Sequence, residues 1–148
     1  MKTFKLAPKT RTFAVVSGGF LLLALLLLLG GSFGRRIMSA EIVSSAGERV
    51  AFLEECGWTV DPLSEQEQQI QIPVTFSPVY ESYNELQRQQ GYDFTPYAGQ
   101  DCTLYTYTVT NYPDASQTVV ADLYILRDRI IGGDVHSTNL NGFMVGLK

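Results

Sequence analysis

The sequence predicts a small α+β domain behind one membrane-spanning helix, and three observations carry this prediction. Residues 13–33 contain no charged side chain. Beyond them, two segments show the 3.6-residue apolar period of helices and four show the alternation of half-buried strands. Two helices laid over one face of an antiparallel sheet of about four strands, the last three forming a meander, would bury these apolar residues most simply.

The apolar stretch 13–33 predicts a membrane anchor. At about 1.5 Å per residue, its 21 residues would span about 31 Å, the thickness of a bilayer's hydrocarbon layer. Four basic residues precede it and two follow it, so the tail 1–12 is expected in the cytoplasm and the remainder outside. A cleaved signal peptide is the alternative, but its apolar core would be shorter.

Residues 34–44 are expected to form a stalk, and residues 45–148 an extracytoplasmic domain. The domain is predicted to begin with a helix over about 46–56, because Ser45 and Glu48 have the spacing of a capping box. The apolar period places four residues on its buried face: Ala46, Val50, Leu53 and Cys56.

Residues 68–74 alternate between polar and apolar, which predicts a strand with Ile70, Ile72 and Val74 on one face. A second helix is predicted from Pro78, since Ser77 is a typical N-cap before a proline, and it should end at Gly91. Its buried face is expected to contain Val79, Tyr83, Leu86 and Gln90.

A meander of three strands is predicted over 102–111, 118–126 and 129–135. The first of these should place Tyr105, Tyr107 and Val109 on one face. The second should point four residues inward: Val119, Ala121, Leu123 and Ile125. In the third, the pair Gly132-Gly133 predicts a bulge or a close backbone approach.

The charge distribution excludes a nucleic-acid partner. All 15 acidic residues lie from Glu41 onward, together with five basic residues, so this part of the chain carries a net charge of 5 − 15 = −10 and repels phosphate backbones. Such a charge is typical of a solvated, exported domain. Because the sequence has one histidine and neither a CxxC nor an HExxH motif, we predict no metal site and no cofactor.

Cys56 and Cys102 are candidates for a disulfide, because both lie in the exported part, where disulfides persist. Closing the loop between them would stabilise the fold by about 4 kcal/mol. Two separate buried thiols are the alternative.

His136 is the only histidine, and Asp134 lies two residues before it. In a strand these side chains share a face, as an acid-oriented general base requires. Ser137 would then lie on the opposite face, which argues against a local Ser-His-Asp triad. We therefore predict no catalytic residue, with a surface histidine at the end of a strand.

The eight tyrosines all lie between Tyr80 and Tyr124. Tyrosine is enriched in binding surfaces because it combines a rigid apolar ring with one polar group. Tyr92, Tyr97 and Tyr112 fall in predicted loops and are the candidate ligand-binding residues. Packing in the core is the alternative role for these side chains.

Several short motifs follow one another in a set order along residues 50–148. They are Ile72-Pro73, Val79-Tyr80, Tyr83-Asn84-Glu85-Leu86-Gln87, Gly91-Tyr92-Asp93, Tyr105-Thr106-Tyr107, Asn111-Tyr112-Pro113, Gly132-Gly133-Asp134-Val135 and Gly142-Phe143-Met144. This series resembles the bacterial domain-of-unknown-function family 4830, found behind a single N-terminal membrane segment. The resemblance implies a Gram-positive cell-envelope location and a small α+β fold, and it carries no activity.

These observations together predict a non-enzymatic, membrane-anchored binding module of the cell envelope. Its expected partners are the membrane, crossed once, and an envelope protein or a wall-derived ligand. Two alternatives remain: an envelope hydrolase that uses His136 as its general base, and a structural subunit of a membrane complex.

Overall fold

The computed structural model describes residues 41–148, which form a five-stranded antiparallel sheet with two helices. The elements in chain order are α1 (Ala46–Glu55), β1 (Gln66–Gln71), α2 (Pro78–Gln89), β2 (Asp101–Thr108), β3 (Val119–Leu126), β4 (Arg129–Ser137) and β5 (Met144–Val145). The strands lie in the sheet in chain order. The expected α+β class is therefore confirmed, with five strands where about four were predicted.

The tail 1–12, the predicted anchor 13–33 and the stalk up to residue 40 lie outside the described residues. Among residues 41–148, no helix has the length and apolar character needed to span a bilayer. The end of the expected stalk packs on the domain. Val43 is buried, and its backbone N–H donates to the carbonyl of Asp128 at 2.8 Å.

The capping box of α1 is confirmed. Ser45 Oγ accepts from the backbone N–H of Glu48 at 3.3 Å, and the Glu48 carboxylate accepts from the backbone N–H of Ser45 at 2.9 Å. The buried face differs from the prediction. Phe52 and Leu53 are buried together with Arg49, whereas Ala46 is exposed.

The start of α2 is also confirmed, since Ser77 Oγ accepts from the backbone N–H of Tyr80 at 3.2 Å. Its predicted apolar face is wrong at Val79, which is 81% exposed. The buried residues of this helix are polar, Asn84 and Gln87. Both amides are buried because they bind backbone groups elsewhere in the fold.

The predicted strand 68–74 is displaced toward the N-terminus, because β1 ends at Gln71 and the chain leaves the sheet at Pro73, which has no N–H to donate. Val74 is exposed, contrary to the prediction. Ile72 is buried as expected, and its backbone N–H donates to the carbonyl of Gln100 at 2.9 Å.

The three-stranded meander is confirmed with small changes at its ends. The turn between β3 and β4 consists of Arg127 and Asp128, with φ angles of 51° and 62°, as in the tight turns that suit strand twist. The register shifts between Tyr124 and Ile125, which leaves Ile131 without a partner, so the irregularity lies one residue before the predicted pair Gly132-Gly133. The short strand β5 is an addition.

The helices lie on opposite faces of the sheet, which corrects the prediction of one shared face. Leu123 and Ala121 pack in a cluster with Phe52 and Leu53 of α1. Tyr124, which points to the other side of β3, packs in a second cluster with Tyr80 and Tyr83 of α2. Both faces of the central strands carry apolar residues, so each requires its own cover. We call these the α1 face and the α2 face.

A partly buried ion pair closes one end of the α1 face, with Arg49 buried and the Glu65 side chain 25% exposed. Arg49 donates to the Glu65 carboxylate at 2.8 Å and to the Tyr107 hydroxyl at 2.9 Å, and the Tyr107 hydroxyl donates to Glu65. The Arg49 guanidinium also lies 3.7 Å from the centre of the Tyr105 ring. These contacts explain why a charged residue occupies the buried side of α1.

Candidate functional site

A cluster of polar side chains lies on the α2 face, where Asp122 of β3 faces Asp134 of β4 across the strand pair. His136 follows two residues after Asp134 and points to the same face. Asp134 is 1% exposed and Asp122 is 8% exposed, whereas the His136 side chain is 26% exposed. The cluster therefore joins two buried carboxylates to an imidazole that solvent can reach.

The pairing of His136 with Asp134, expected from their spacing, is present. Nδ1 of His136 lies 2.8 Å from Oδ1 of Asp134. The hydrogen bond with Asp134 raises the pKa of His136 above its ordinary value, which favours the charged imidazole. The Tyr83 hydroxyl, from α2, donates to Oδ2 of Asp134 at 2.5 Å. Both oxygens of this carboxylate are therefore bound.

Asp122 is held from the other side by β2. The Thr106 hydroxyl donates to Oδ1 of Asp122 at 2.5 Å. Burial raises the pKa of Asp122, and the neighbouring charge of Asp134 raises it further. Two buried carboxylates thus lie side by side with His136 as the nearby cationic group.

Gly132 of β4 lets α2 and the loop after it approach closely enough for Tyr83 to reach Asp134, whereas a side chain on Gly133 would point to the α1 face, toward Leu147. A Cβ on Gly132 would lie 2.5 Å from Cζ of Phe94, and one on Gly133 would lie 2.4 Å from the carbonyl oxygen of Asp122. The backbone N–H of Gly133 donates to Gln87 Oε1 at 2.9 Å, and its carbonyl accepts from Gln90 at 3.0 Å. The close approach predicted for this pair is therefore present.

The arrangement supports proton or cation binding better than covalent catalysis. Ser137 lies on the opposite face of β4 from His136, as expected, and is buried there. Cys102 lies on the α2 face, but burial raises the pKa of its thiol to about 11, so it is protonated at neutral pH. Neither side chain is therefore an activated nucleophile beside His136.

The three candidate ligand-binding tyrosines do not share a surface. Tyr92 and Tyr112 are half-buried against the cluster of the α1 face, whereas Tyr97 packs against the cluster of the α2 face. Tyr112 stacks on Phe143 with a centroid distance of 4.9 Å. Burial raises the pKa of Tyr92 to about 12. These rings contribute to the packing of two separate clusters.

The two cysteines are free thiols, so the predicted candidate disulfide is not formed. Cys56 packs against the cluster of the α1 face, and Cys102 belongs to that of the α2 face. The sheet separates the two side chains, which is the physical reason that they do not meet.

Three members of the cluster are not predicted by the sequence patterns: Tyr83, Thr106 and Asp122. Asp122 had a detectable signal, since it is the one charged residue in the apolar strand Val119–Leu126. Tyr83 and Thr106 lack such a signal, because the residues next to them in the sequence do not indicate which strand their hydroxyl groups contact.

No curated protein and no solved structure matches the chain significantly. One family model does match, described as a domain of unknown function (DUF4830), and it spans residues 52–135. This range is more than half of the 148 residues and contains α2, β1 to β3 and most of β4. It also contains every residue of the polar cluster except His136: Tyr83, Thr106, Asp122 and Asp134. The chain therefore belongs to the DUF4830 family, as its motifs predict.

Proposed function

We propose that this protein is a non-enzymatic binding module of the bacterial cell envelope, anchored by residues 13–33 with its domain outside the membrane. The ligand would contact the α2 face of the sheet at the end that contains His136, beyond the part covered by helix α2. Four residues form a row there, one from each of β2 to β5: Thr108, Val120, His136 and Met144. We call this row the His136 surface.

The position of His136 is the single observation that carries the proposal. Its imidazole is tied to a buried carboxylate at 2.8 Å, yet its side chain is about a quarter exposed. Beside it, Met144 is 49% exposed on the short edge strand β5. An oriented polar group next to exposed apolar area is the usual composition of a small binding site.

The location outside the membrane rests on the sequence. Four basic residues precede the apolar stretch 13–33 and two follow it, which favours a cytoplasmic position for residues 1–12. The acidic residues all lie from Glu41 onward, in the part expected outside. An acidic domain outside the cell would attract basic segments of envelope proteins or amine groups of the wall.

The proposal is tested by photo-crosslinking in intact cells that make the full chain. A photo-reactive amino acid at Met144 should capture a protein or wall fragment. The same group at Leu63, which is 96% exposed in the turn Pro62–Ser64, is the matched control. Equal capture from both positions, or capture of this protein alone, would contradict the proposed surface.

An envelope hydrolase is the second candidate, favoured by the contact between His136 and Asp134. In that enzyme the imidazole would act as a general base on water. It predicts that His136→Ala abolishes hydrolysis of wall fragments in a protein that remains folded. Wild-type protein without such hydrolysis would leave the binding module as the better explanation.

A further inference from the structure

We propose that Asp122, Asp134 and His136 together bind one divalent transition-metal ion of the zinc type. This inference rests on the proposed function, because the ion would form part of the His136 surface. It departs from the prediction of no metal site, which considered motifs in the sequence and not residues brought together by the sheet.

The ligand atoms are close enough for one ion. One nitrogen of His136 and one oxygen from each carboxylate all lie within 4.8 Å of one another. Two ligands of a tetrahedral zinc ion lie about 3.3 Å apart, given metal–ligand distances of about 2.0–2.1 Å. Small side-chain rotations would therefore bring the three atoms into coordination, without a change in the register of β3 and β4.

The charges of the cluster favour a bound cation. Asp122 and Asp134 are both more than nine-tenths buried. The basic residues of the described region lie elsewhere: Arg49 and Lys148 contact rings of the α1 face, Arg88 pairs with acids around α2, and Arg127 and Arg129 lie at the β3–β4 turn. A buried carboxylate without a counter-charge is costly, and His136 can compensate only one of the two.

One oxygen of Asp122 is left for a ligand. Thr106 donates to Oδ1, and Oδ2 has no hydrogen-bond donor among residues 41–148. Asp134 is oriented by Tyr83 at Oδ2, so Oδ1 faces His136. Hydroxyl groups that each hold one oxygen of a carboxylate ligand are typical of the outer shell of metal sites. On binding, Oδ1 of Asp134 would exchange its contact with Nδ1 of His136 for a contact with the ion.

The mixture of ligands selects the type of ion. An imidazole nitrogen with two carboxylate oxygens suits zinc and its neighbours, whereas calcium and magnesium prefer sites made of oxygen alone. Binding would release the proton that lies between Nδ1 of His136 and Asp134. Three protein ligands leave a fourth coordination position open. Because His136 is the exposed member of the site, this position would face solvent near Met144, where the ligand of the proposed function would bind.

The test uses the full chain in detergent, stripped with a chelator and titrated with Zn²⁺ or Co²⁺. We expect one ion per chain, a Co²⁺ absorption spectrum typical of nitrogen and oxygen ligands, and no competition from Mg²⁺. Asp122→Asn and His136→Gln should each weaken binding at least ~10-fold. Glu54→Gln, an exposed acid on α1, is the matched control and should bind like the wild type.

Thr106→Val tests the same site without removing a ligand. It keeps the shape of the side chain but loses the hydroxyl that orients Asp122, and we expect ~10-fold weaker binding. Near-ultraviolet circular dichroism of Trp58 reports whether each variant is folded. Wild-type protein without bound Zn²⁺, or folded Asp122 and His136 variants with unchanged affinity, would overturn the inference.

The outcomes for the metal site and for the proposed function are separable. Crosslinks from Met144 without any Zn²⁺ binding would overturn the metal site alone. Zn²⁺ binding that depends on Asp122 and His136, without crosslinks from Met144, would support the metal site and contradict the binding module.

Discussion

The hydroxyl of Tyr83 donates to Oδ2 of Asp134 at 2.5 Å, and this contact joins the middle of α2 to the centre of β4. It is the link through which a helix of mostly polar residues holds the acid that orients His136. Since Asp134 is buried, its oxygen has no access to water that could replace the tyrosine.

The first prediction concerns this hydroxyl. Tyr83→Phe should lower the free energy of unfolding by about 1–3 kcal/mol, because it leaves a buried carboxylate oxygen without a donor. Tyr112→Phe is the control, since the half-buried Tyr112 has no hydroxyl hydrogen bond within the described part of the chain. Urea denaturation measures both values, and an equal cost for the two variants would contradict the role given to Tyr83.

The second prediction concerns the titration of His136 in metal-free protein. Its pKa should lie above 6.5, and in Asp134→Asn it should fall toward that value, because the hydrogen bond with the carboxylate favours the charged ring. His136 is the only histidine, so its ring signals in NMR spectra need no assignment. A pKa that is the same in both proteins would be inconsistent with the 2.8 Å contact.

The sign of the linked effect on stability follows from the raised pKa. The contribution of protonated His136 is fully present below pH 6.5, the unfolded value, and is lost as the pH rises through the folded value. The free energy of unfolding of the wild type should therefore decrease over that window relative to His136→Gln, which does not titrate there.

The third prediction compares two glycines. Gly133→Ala should destabilise the protein by about 2 kcal/mol or more, because the added Cβ would meet the Asp122 carbonyl oxygen at 2.4 Å. Gly47→Ala should instead stabilise it by about 0.5–1 kcal/mol, since Gly47 lies in α1 with no atom within 4 Å of such a Cβ. Thermal denaturation distinguishes the two, and a tolerated alanine at 133 would refute the close packing of β4 against the β3 backbone and Leu147 at this position.

The fourth prediction concerns the partly buried ion pair. Arg49→Met should cost about 2 kcal/mol, because Glu65 loses its cationic partner, though not the Tyr107 hydroxyl, and Tyr107 loses its donor. Arg88→Met removes a guanidinium whose acidic neighbours are exposed, and should cost less than about 1 kcal/mol. The double variant Arg49→Met, Glu65→Gln should recover part of the lost stability, and its failure to do so would contradict the pairing.

The elements that the sequence predicts well are those set by neighbouring residues. The caps of both helices involve partners three residues apart, as Ser45 with Glu48 and Ser77 with Tyr80. The alternation in β2 and β3 is likewise a local property of the chain. The same holds for the pairing of His136 with Asp134, since residues two apart in a strand share a face.

The predictions failed where distant partners decide burial. Val79 is apolar yet exposed, and Gln87 is polar yet buried. Gln87 is buried because its amide oxygen accepts from the backbone N–H of Gly133, 46 residues further along the chain. The apolar period of a helix indicates the side that faces the sheet, but hydrogen-bond partners elsewhere decide which polar side chains are buried on it. In this protein, Tyr80 and Tyr83 of α2 pack in the α2-face cluster, and Gln87 binds the backbone of β4.

The sequence by itself determined the family, the α+β class, the helix caps, the meander and the pairing of His136 with its aspartate, because each depends on a pattern or on residues close together in the chain. Only the tertiary structure decided that the helices cover opposite faces and that Asp122, Thr106 and Tyr83 join His136. Strand register and helix placement bring those groups together from separate parts of the chain, and no local pattern encodes the meeting of such distant side chains.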